Sequence, residues 1–438
     1  MSDSTDRQRG KMNVGILGGG VTGIALQRFL RHDSEVLEAA AHIGGLCRTV
    51  WKDGFGYDLG GHILFSKHEA VNRLLEEALR DNLNECKRAN KIWYNGRYVK
   101  YPFENDLAAL GPEEAAECLI YYLRHDYPPP KTNLKEWAYY TFGKGIAEKY
   151  FIPYNEKIWN ISADQLSLEF VERIPKPPLE DVVKSAIGVE TEGYLHQLHF
   201  KYPRKGGFEA LVHALVKRGA AVTTNYRVSR IRRARQGWEV TDGANPRSFD
   251  RLVVAFPIHE AIRCFEAVPP EVLEAVGRLR YNSLRIVLVA VNDESLMQHS
   301  AVYIPDPTVV THRICSMGFF SRELVNPGTS SIIAEVTTNP GDGVYELSDS
   351  ELTRRVVDDL DRVQLLDRRK VIVTDVTRIM YGYPVQDLAY TATRVIVHDW
   401  FRSIAIPLCG RFAEFDYINS DECLRRAMVL ADRLNAEG

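Results

Sequence analysis

The stretch NVGILGGGVTGIALQRFL at residues 13–30 decides the fold of this chain. Residues 13–17 form an apolar run typical of a buried strand, and Gly18, Gly20 and Gly23 follow in G-x-G-x-x-G order before a helical segment. The first two glycines let the backbone turn and approach a pyrophosphate, and the third lets the helix pack closely on the strand. The helix N-terminus offers unpaired N–H groups to such an anion. The pattern therefore predicts a Rossmann-like unit that binds a dinucleotide.

An acidic residue at the expected distance strengthens this prediction. Glu38 closes a second apolar strand, residues 35–37, about twenty residues after the glycines. Its carboxylate can accept hydrogen bonds from a ribose diol, which favours an adenosine ribose without a 2′-phosphate.

Composition excludes several classes of protein. With 438 residues, 45% of them hydrophobic and 26% charged, the chain is long enough for two or three domains. A formal net charge of -3 gives no global basic field, so we expect no nucleic-acid partner, and an anionic substrate has to be held by local arginines. The longest apolar run, residues 286–291, is too short to cross a bilayer, so no membrane association is expected.

The seven cysteines form no C-x-x-C pair and no metal-ligand spacing. This usage is typical of reduced thiols that serve as small buried apolar residues. We therefore expect a cytoplasmic protein without a bound metal.

A second glycine pair, Gly44 and Gly45, follows the acidic residue within the segment 41–46. This segment resembles the flavoprotein amine-oxidase-like superfamily, which carries a glycine pair at that point. The resemblance favours FAD over NAD as the dinucleotide.

Further segments, in the same order from residue 13 to about 430, resemble the UDP-galactopyranose mutase family. They are LGGHILFS at 59–66, YPF at 101–103, YNEKIW at 154–159, ERIP at 172–175, THRI at 311–314, YGYP at 381–384 and GRF through YIN at 410–419.

The resemblance implies a flavin-dependent isomerase that interconverts the pyranose and furanose forms of a nucleotide sugar, with UDP-galactopyranose to UDP-galactofuranose as the best single interpretation. In that family mechanism N5 of the reduced flavin attacks the anomeric carbon and expels the nucleoside diphosphate, without net redox change. The flavin therefore has to be FADH⁻, and NAD(P)H or another donor would serve as its reductant.

The resemblance also assigns roles to single residues. Because a departing diphosphate gathers negative charge, planar guanidinium forks suit it, and tyrosine hydroxyls can donate further hydrogen bonds. The residues expected at the reacting centre are Arg173, Arg313, His62, Tyr303, Tyr383 and Tyr417. Those expected at the base and sugar are Tyr101, Phe103, Glu104, Tyr154, Asn155, Trp159 and Asn419. Those expected to bind FAD are Gly18, Gly20, Gly23, Glu38, Gly45, Leu46, Gly61, His62, Val228 and Arg411.

Three positions depart from the family pattern. Phe65 replaces a second histidine of the bacterial members and makes the His62 loop eukaryotic-like. Glu104 stands where eukaryotic members have glutamine, and an ionised carboxylate cannot donate to a uracil carbonyl, so the base stays open. Asn419 replaces an aspartate of bacterial relatives.

The predicted fold class is α/β, with a discontinuous Rossmann-like FAD-binding domain, a helical insertion with a mobile loop, and a mixed β-sheet substrate domain. Their residues are 1–100, 205–280 and 390–438 for the first, 104–190 for the second, and 191–204 with 281–389 for the third.

Several alternatives stay open. One is a mutase of the same mechanism on another nucleotide sugar, a second is a flavin-dependent amine or porphyrinogen oxidase, and a third is a nucleotide-sugar binder without activity. At the level of single residues, the aromatic side chains could belong to the core, His62 could cap a turn, and an arginine could be a solvated surface residue. A homo-oligomer is a further expectation.

Overall fold

The computed structural model describes residues 11–174, 176–191 and 198–437, without the side chains of Phe170, Glu172 and Arg173. Its strands are β1 (Asn13–Leu17), β2 (Asp33–Leu37), β3 (Thr49–Lys52), β4 (Phe55–Asp58), β5 (Leu83–Lys87), β6 (Asn90–Tyr94), β7 (Arg97–Lys100), β8 (His199–Pro203), β9 (Ala221–Thr223), β10 (Arg230–Arg233), β11 (Trp238–Thr241), β12 (Arg247–Phe249), β13 (Arg251–Val254), β14 (Tyr281–Val291), β15 (Ala301–Tyr303), β16 (Arg313–Ser316), β17 (Ser330–Thr338) and β18 (Val371–Pro384). Its α-helices are α1 (Val21–Phe29), α2 (Glu69–Leu79), α3 (Pro112–Arg124), α4 (Leu134–Ile146), α5 (Ile152–Trp159), α6 (Leu179–Ala186), α7 (Glu209–Leu215), α8 (Ile258–Cys264), α9 (Pro270–Arg278), α10 (Met317–Phe320), α11 (Asp349–Arg362), α12 (Tyr390–Ser403) and α13 (Ser420–Glu437).

The first sheet is parallel, with strand order β13-β1-β2-β9. Helix α1 crosses from β1 to β2 and is buried along most of its length, because α13 covers its other side. A Cβ on Gly23 would lie 2.0 Å from the carbonyl oxygen of Gly18, so only glycine permits this close packing of helix on strand. The predicted Rossmann-like unit is confirmed.

The second sheet is mixed, with strand order β18-β14-β17-β16-β15-β6-β7. Strand β14 is buried on both faces, which explains its continuous apolar run from Ile286 to Val291. Helix α11 covers part of this sheet with Leu352, Val356 and Leu360, which recur at helical spacing on its buried face.

One hairpin differs from the predicted domain boundary. Strands β6 and β7, within the predicted FAD-binding segment 1–100, belong to the mixed sheet, because β6 pairs in parallel with β15. Strand β8, expected in the mixed sheet, pairs instead with β5 in a separate two-stranded sheet. Both pairings join residues far apart in the chain.

The described part of the predicted insertion, residues 104–190, is mainly helical, as predicted. Helix α3 packs on α4 and α6 packs on α3, while Trp137 and Phe142 of α4 touch Phe151 in an aromatic cluster before α5. Helix α5 points its residues toward the mixed sheet, with Thr337 of β17 donating a hydrogen bond to the carbonyl of Ile158 over 3.1 Å. Across the described ranges, every helix is too short or too polar to span a membrane.

Candidate active site

A cavity of about 470 Å3 opens at the carboxyl end of β1 and extends to the segment that precedes α13. Most of the residues predicted to bind FAD lie in its wall. They are Gly18, Gly20, Glu38, Gly45, Leu46, His62, Val228 and Arg411. Gly23 and Gly61 lie behind the wall, where Gly23 packs α1 on β1 and Gly61 packs against Cys315.

Two glycine turns meet in this wall. A Cβ on Gly45 would lie 3.2 Å from the Cα of Gly20, and the amide of Gly44 donates to the carbonyl of Gly19 over 2.9 Å. Gly44 and Gly45 both have positive φ angles, 118° and 55°. Because these glycines have no side chain, the two turns form a backbone cradle that fits a pyrophosphate.

The Glu38 carboxylate is fixed at the side of this cradle. Its Oε2 accepts from the amide of Gly19 over 2.7 Å, and its Oε1 accepts from the amide of Ala40 over 2.8 Å. The remaining lone pairs of both oxygens are available to the hydroxyls of a ribose.

The ring of His62 stacks on Phe208 with 4.8 Å between centroids. Its Nδ1 is shielded from solvent and has no hydrogen-bond partner within the described part of the chain. Burial, with a further contribution from Arg411, lowers the pKa of His62 to about 4, so the ring is neutral near pH 7. A buried ring nitrogen without a partner, in the wall of this cavity, fits a polar group of a bound flavin.

Arg313 begins β16 and forms a bidentate ion pair with Glu335 of β17. Its Nε lies 2.9 Å from Oε1 and its Nη2 lies 2.7 Å from Oε2 of Glu335, which is 0% exposed. The amide of Gly61 donates to the same Oε1 over 2.9 Å, so this carboxylate joins Arg313 to the His62 loop. Burial would raise the pKa of Glu335, but the charges of Arg313 and His312 outweigh it and hold that pKa well below the usual range.

Sequence reasoning missed Glu335. It lies in β17, SSIIAEVTT, where it is the single charged residue of a largely buried strand. Because an unpaired buried carboxylate is costly, such a residue signals a buried cation, and this signal was present in the sequence.

Tyrosines surround the Arg313–Glu335 pair. The hydroxyl of Tyr383 donates to Oε2 of Glu335 over 3.2 Å. The Tyr383 and Tyr417 rings are 5.7 Å apart, and the guanidinium carbon of Arg411 lies 5.3 Å from the Tyr417 centroid. These contacts connect the ion pair to the cavity wall.

Residues 21–412 match the family described as flavin-containing amine oxidoreductases. The chain belongs to this family. A flavoprotein fold with FAD as its cofactor follows from that membership and from the cavity described above.

Several solved structures share the fold over nearly the whole chain. The structure of reduced UDP-galactopyranose mutase is 22% identical, with a TM-score of 0.89 over 98% of this chain and 94% of that one. A provisionally named protoporphyrinogen oxidase from Exiguobacterium sp. 255-15 is 18% identical, with a TM-score of 0.77 over 98% and 100%. Putrescine oxidase bound to putrescine is 17% identical, with a TM-score of 0.67 over 97% and 99%.

Near the flavin cavity of this family member, further aromatic residues form two groups of ring contacts. Tyr101 stacks on Tyr303 at 4.7 Å, and Tyr154 meets Tyr303 edge to face at 5.4 Å. Trp159 meets Tyr417 edge to face at 5.1 Å. The structure therefore brings together the aromatic residues predicted on four separate segments.

Other predicted base and sugar residues are packed inside the protein. Phe103 is 0% exposed and stacks on Tyr150 at 5.2 Å. The Asn155 amide accepts from Trp159 Nε1 over 3.2 Å and donates to the backbone carbonyl of Phe151, just before α5, over 2.8 Å. Glu104 is buried beside Phe103, with its backbone carbonyl accepting from Ser185 over 2.6 Å.

Two predicted residues lie elsewhere. Asn419 lines a second cavity of about 850 Å3, which shares Ile418 with the flavin cavity. The Arg173 side chain lies outside the described residues, although its backbone ends a short 3-10 helix that starts at Leu168.

Proposed function

We propose that this protein is an FAD-dependent nucleotide-sugar mutase that interconverts pyranose and furanose forms, with UDP-galactopyranose and UDP-galactofuranose as the first candidates. The observation that carries the proposal is the position of Arg313. A Cβ built on Gly61 would lie 3.6 Å from the guanidinium carbon of Arg313, so this cation, whose side chain is 19% exposed, lies directly behind the loop that presents His62 to the flavin cavity.

Arg313 suits a leaving diphosphate because its orientation is fixed before the substrate binds. The Glu335 pair uses Nε and Nη2, and Nη1 lies on the other side of the fork. A preorganised donor in a shielded site stabilises charge where it develops, without the cost of reorienting it. Arg173 is proposed as the second guanidinium by its place in the family order.

Tyrosine hydroxyls would donate to the same phosphates. Burial raises the pKa of Tyr303 and raises that of Tyr383 well above the usual value, so both hydroxyls keep their protons near pH 7. Tyr417 lies against Tyr383 and would face the sugar side, while Tyr101 and Tyr154 would bound the base.

The residues of the glycine turns would hold the pyrophosphate of FAD, Glu38 its ribose, and His62 and Arg411 its ring system. Reduced FAD would supply the nucleophilic nitrogen for the anomeric carbon, without net redox change. The chain's own part is to bind the substrate, exclude water and receive the charge of the departing phosphate at Arg313.

The direct test is conversion under reducing conditions. Dithionite-reduced protein is incubated with UDP-galactofuranose, and the nucleotide sugars are separated by chromatography. We expect UDP-galactopyranose to form, and we expect Arg313→Ala to slow turnover by about 10²-fold or more, the scale seen when a preorganised donor is removed. The exposed Arg322, which pairs with Glu294 at the surface, provides the matched control Arg322→Ala.

A panel of UDP, GDP and dTDP sugars tests the variants of this proposal. If only another nucleotide sugar is converted, the proposed sugar or base is wrong, but the proposed reaction class is supported. Bound, reduced flavin with no conversion of any sugar would contradict the mutase.

An amine or porphyrinogen oxidase is the second candidate, favoured by the similarity to two proteins named as oxidases. It requires oxygen consumption with an organic reductant. It also gives no role to the Arg313–Glu335 pair, so turnover that survives Arg313→Ala would favour it. Nucleotide-sugar binding without either activity would indicate a silent binder.

A further inference from the structure

The segment from Gly410 to Asn419, which precedes α13, closes one side of the flavin cavity. Gly410, Arg411, Phe412 and Ile418 lie in the cavity wall. A Cβ on Gly410 would lie 2.7 Å from Oγ1 of Thr22, which lines the same cavity, so this segment presses directly on α1.

The outer side of this segment is held by one arginine of α13. Arg426 contacts three carboxylates: Nη1 lies 2.9 Å from Glu414, Nη2 lies 2.7 Å from Asp416, and Nε lies 2.9 Å from Glu422. Glu414 and Asp416 belong to the cavity-closing segment, whereas Glu422 lies on α13 beside Arg426.

Glu414 carries this restraint to the cavity wall itself. Its Oε2 accepts from the amide of Gly410 over 2.7 Å, while its Oε1 faces Arg426. Arg426 therefore restrains the backbone of Gly410 through the carboxylate of Glu414. It also restrains Asp416, the residue before Tyr417, by a direct ion pair.

The charges of this cluster balance. Arg394, Arg425 and Arg426 face Glu414, Asp416 and Glu422 across distances between 2.7 and 3.8 Å. Without Arg426, the carboxylates of Glu414 and Asp416, which are two residues apart on one tight loop, would lose the cation between them, and like charges at that range repel.

We infer that Arg426 is a positioning residue for FAD, which keeps residues 410–412 against the cofactor by neutralising Glu414 and Asp416. This role of Arg426 is limited to retention of the cofactor and does not depend on which reaction the flavin supports. The neighbouring Arg425 forms two contacts of 2.7 Å with Glu422, and among the described residues it has no hydrogen bond or ion pair to the cavity-closing segment, so it matches Arg426 in charge and helix without that link.

The test is the rate of FAD release from the holoprotein, followed by the rise of flavin fluorescence on dilution. We expect Arg426→Gln to release FAD at least tenfold faster than the unaltered protein, and Arg425→Gln to stay within twofold. Arg426→Lys keeps the charge but cannot contact three carboxylates at once, so an intermediate rate is expected. The double variant Arg426→Gln with Glu414→Gln removes the repulsion and should recover part of the slow release.

Far-UV circular dichroism of each variant, together with its unfolding temperature after flavin removal, separates cofactor positioning from a general loss of structure. Release of FAD from Arg426→Gln at the unaltered rate would overturn the inference. Equal acceleration by Arg425→Gln would overturn it as well, because Arg425 lacks the link to Gly410. If Arg426→Gln does not fold, the double variant Arg426→Gln with Glu414→Gln decides, because it removes the link from Arg426 through Glu414 to Gly410 without leaving two carboxylates unpaired: release at least threefold faster than from the unaltered protein supports the inference, and an unaltered rate rejects it.

Discussion

At the scale of the residue, Glu335 organises the proposed reacting centre. It accepts from Arg313, from the Gly61 amide and from the Tyr383 hydroxyl, and the ring of His312 lies 3.6 Å away. A carboxylate with this many partners fixes the position of each one, so the orientation of Arg313 depends on it.

Glu335→Gln is expected to lower stability and activity together. The change leaves the partly buried Arg313 without its counter-charge, and because breaking a fully buried pair on one side costs about 3–5 kcal/mol, a loss somewhat below that range is expected. Thermal unfolding and turnover are the measurements, with the exposed Glu323→Gln as control. Unchanged turnover in a correctly folded Glu335→Gln protein would show that Arg313 needs no anchoring.

Asp58 gives a pH dependence at the same scale. It is fully buried and accepts from Tyr202 over 2.6 Å and from Thr49 over 2.7 Å. Burial raises the pKa of its carboxyl from 3.8 to about 6. Because the folded state holds this proton more tightly, the contribution of Asp58 to stability is present below pH 4 and is lost as the pH rises through 6.

Comparison of Asp58→Asn with the unaltered protein tests this sign. The free energy of unfolding of the unaltered protein should fall, relative to the variant, by about 3 kcal/mol between pH 4 and pH 7, as the pKa difference requires. Urea titrations at several pH values provide the measurement. A difference that grows in the opposite direction would contradict the buried, proton-retaining carboxyl.

At the scale of the element, the β15–β16 hairpin places Tyr303 opposite Arg313, which are directly paired in the register. Its connecting loop is held by Lys157 of α5, whose Nζ donates to the carbonyls of Ile304 and Asp306 over 2.9 and 2.8 Å. Helix α5 also carries Tyr154, so one lysine ties the proposed base side to the proposed phosphate side.

Lys157→Met should therefore loosen this hairpin. We expect a loss of about 2 kcal/mol in the free energy of unfolding, the scale of two lost hydrogen bonds, and a KM for the nucleotide sugar that rises more than kcat falls. Steady-state kinetics and urea unfolding are the measurements. The exposed Lys135→Met on α4 is the control, and a pure kcat effect would argue against a positioning role.

At the scale of the whole molecule, the flavin cavity joins three parts of the chain that are distant in sequence, represented by Gly20, Val228 and Arg411. A ligand that binds only the folded state stabilises it by mass action. Removal of FAD should therefore lower the unfolding temperature of the entire chain.

Adding FAD back at 100 times its Kd should restore about 2.7 kcal/mol, measured by thermal unfolding at increasing FAD concentrations. FMN lacks the adenosine ribose that Glu38 is proposed to bind, so it should stabilise less at equal concentration. Equal stabilisation by FMN would remove Glu38 from the cofactor site.

The sequence separation of contacting residues determines which features could be predicted from the sequence. The glycine turn and Glu38 were predictable because strand, turn, helix and acid follow within one βαβ unit, and the fold class is confirmed. The β6–β15 pairing, the Arg313–Glu335 pair and the Arg426 contacts join residues far apart in the chain. Local periodicity contains no information on such partners, so these features required the structure.

The cavity wall that runs from Gly18 to Arg411 has a consequence for biosynthesis. A ribosome delivers the glycine turns first, and it delivers the segment that shuts the opposite side only long afterwards. A nascent chain can therefore begin to fold around β1 but cannot retain its cofactor until the residues after Arg411 have emerged. Yellow colour in a freshly made preparation would then report that synthesis had run past that point.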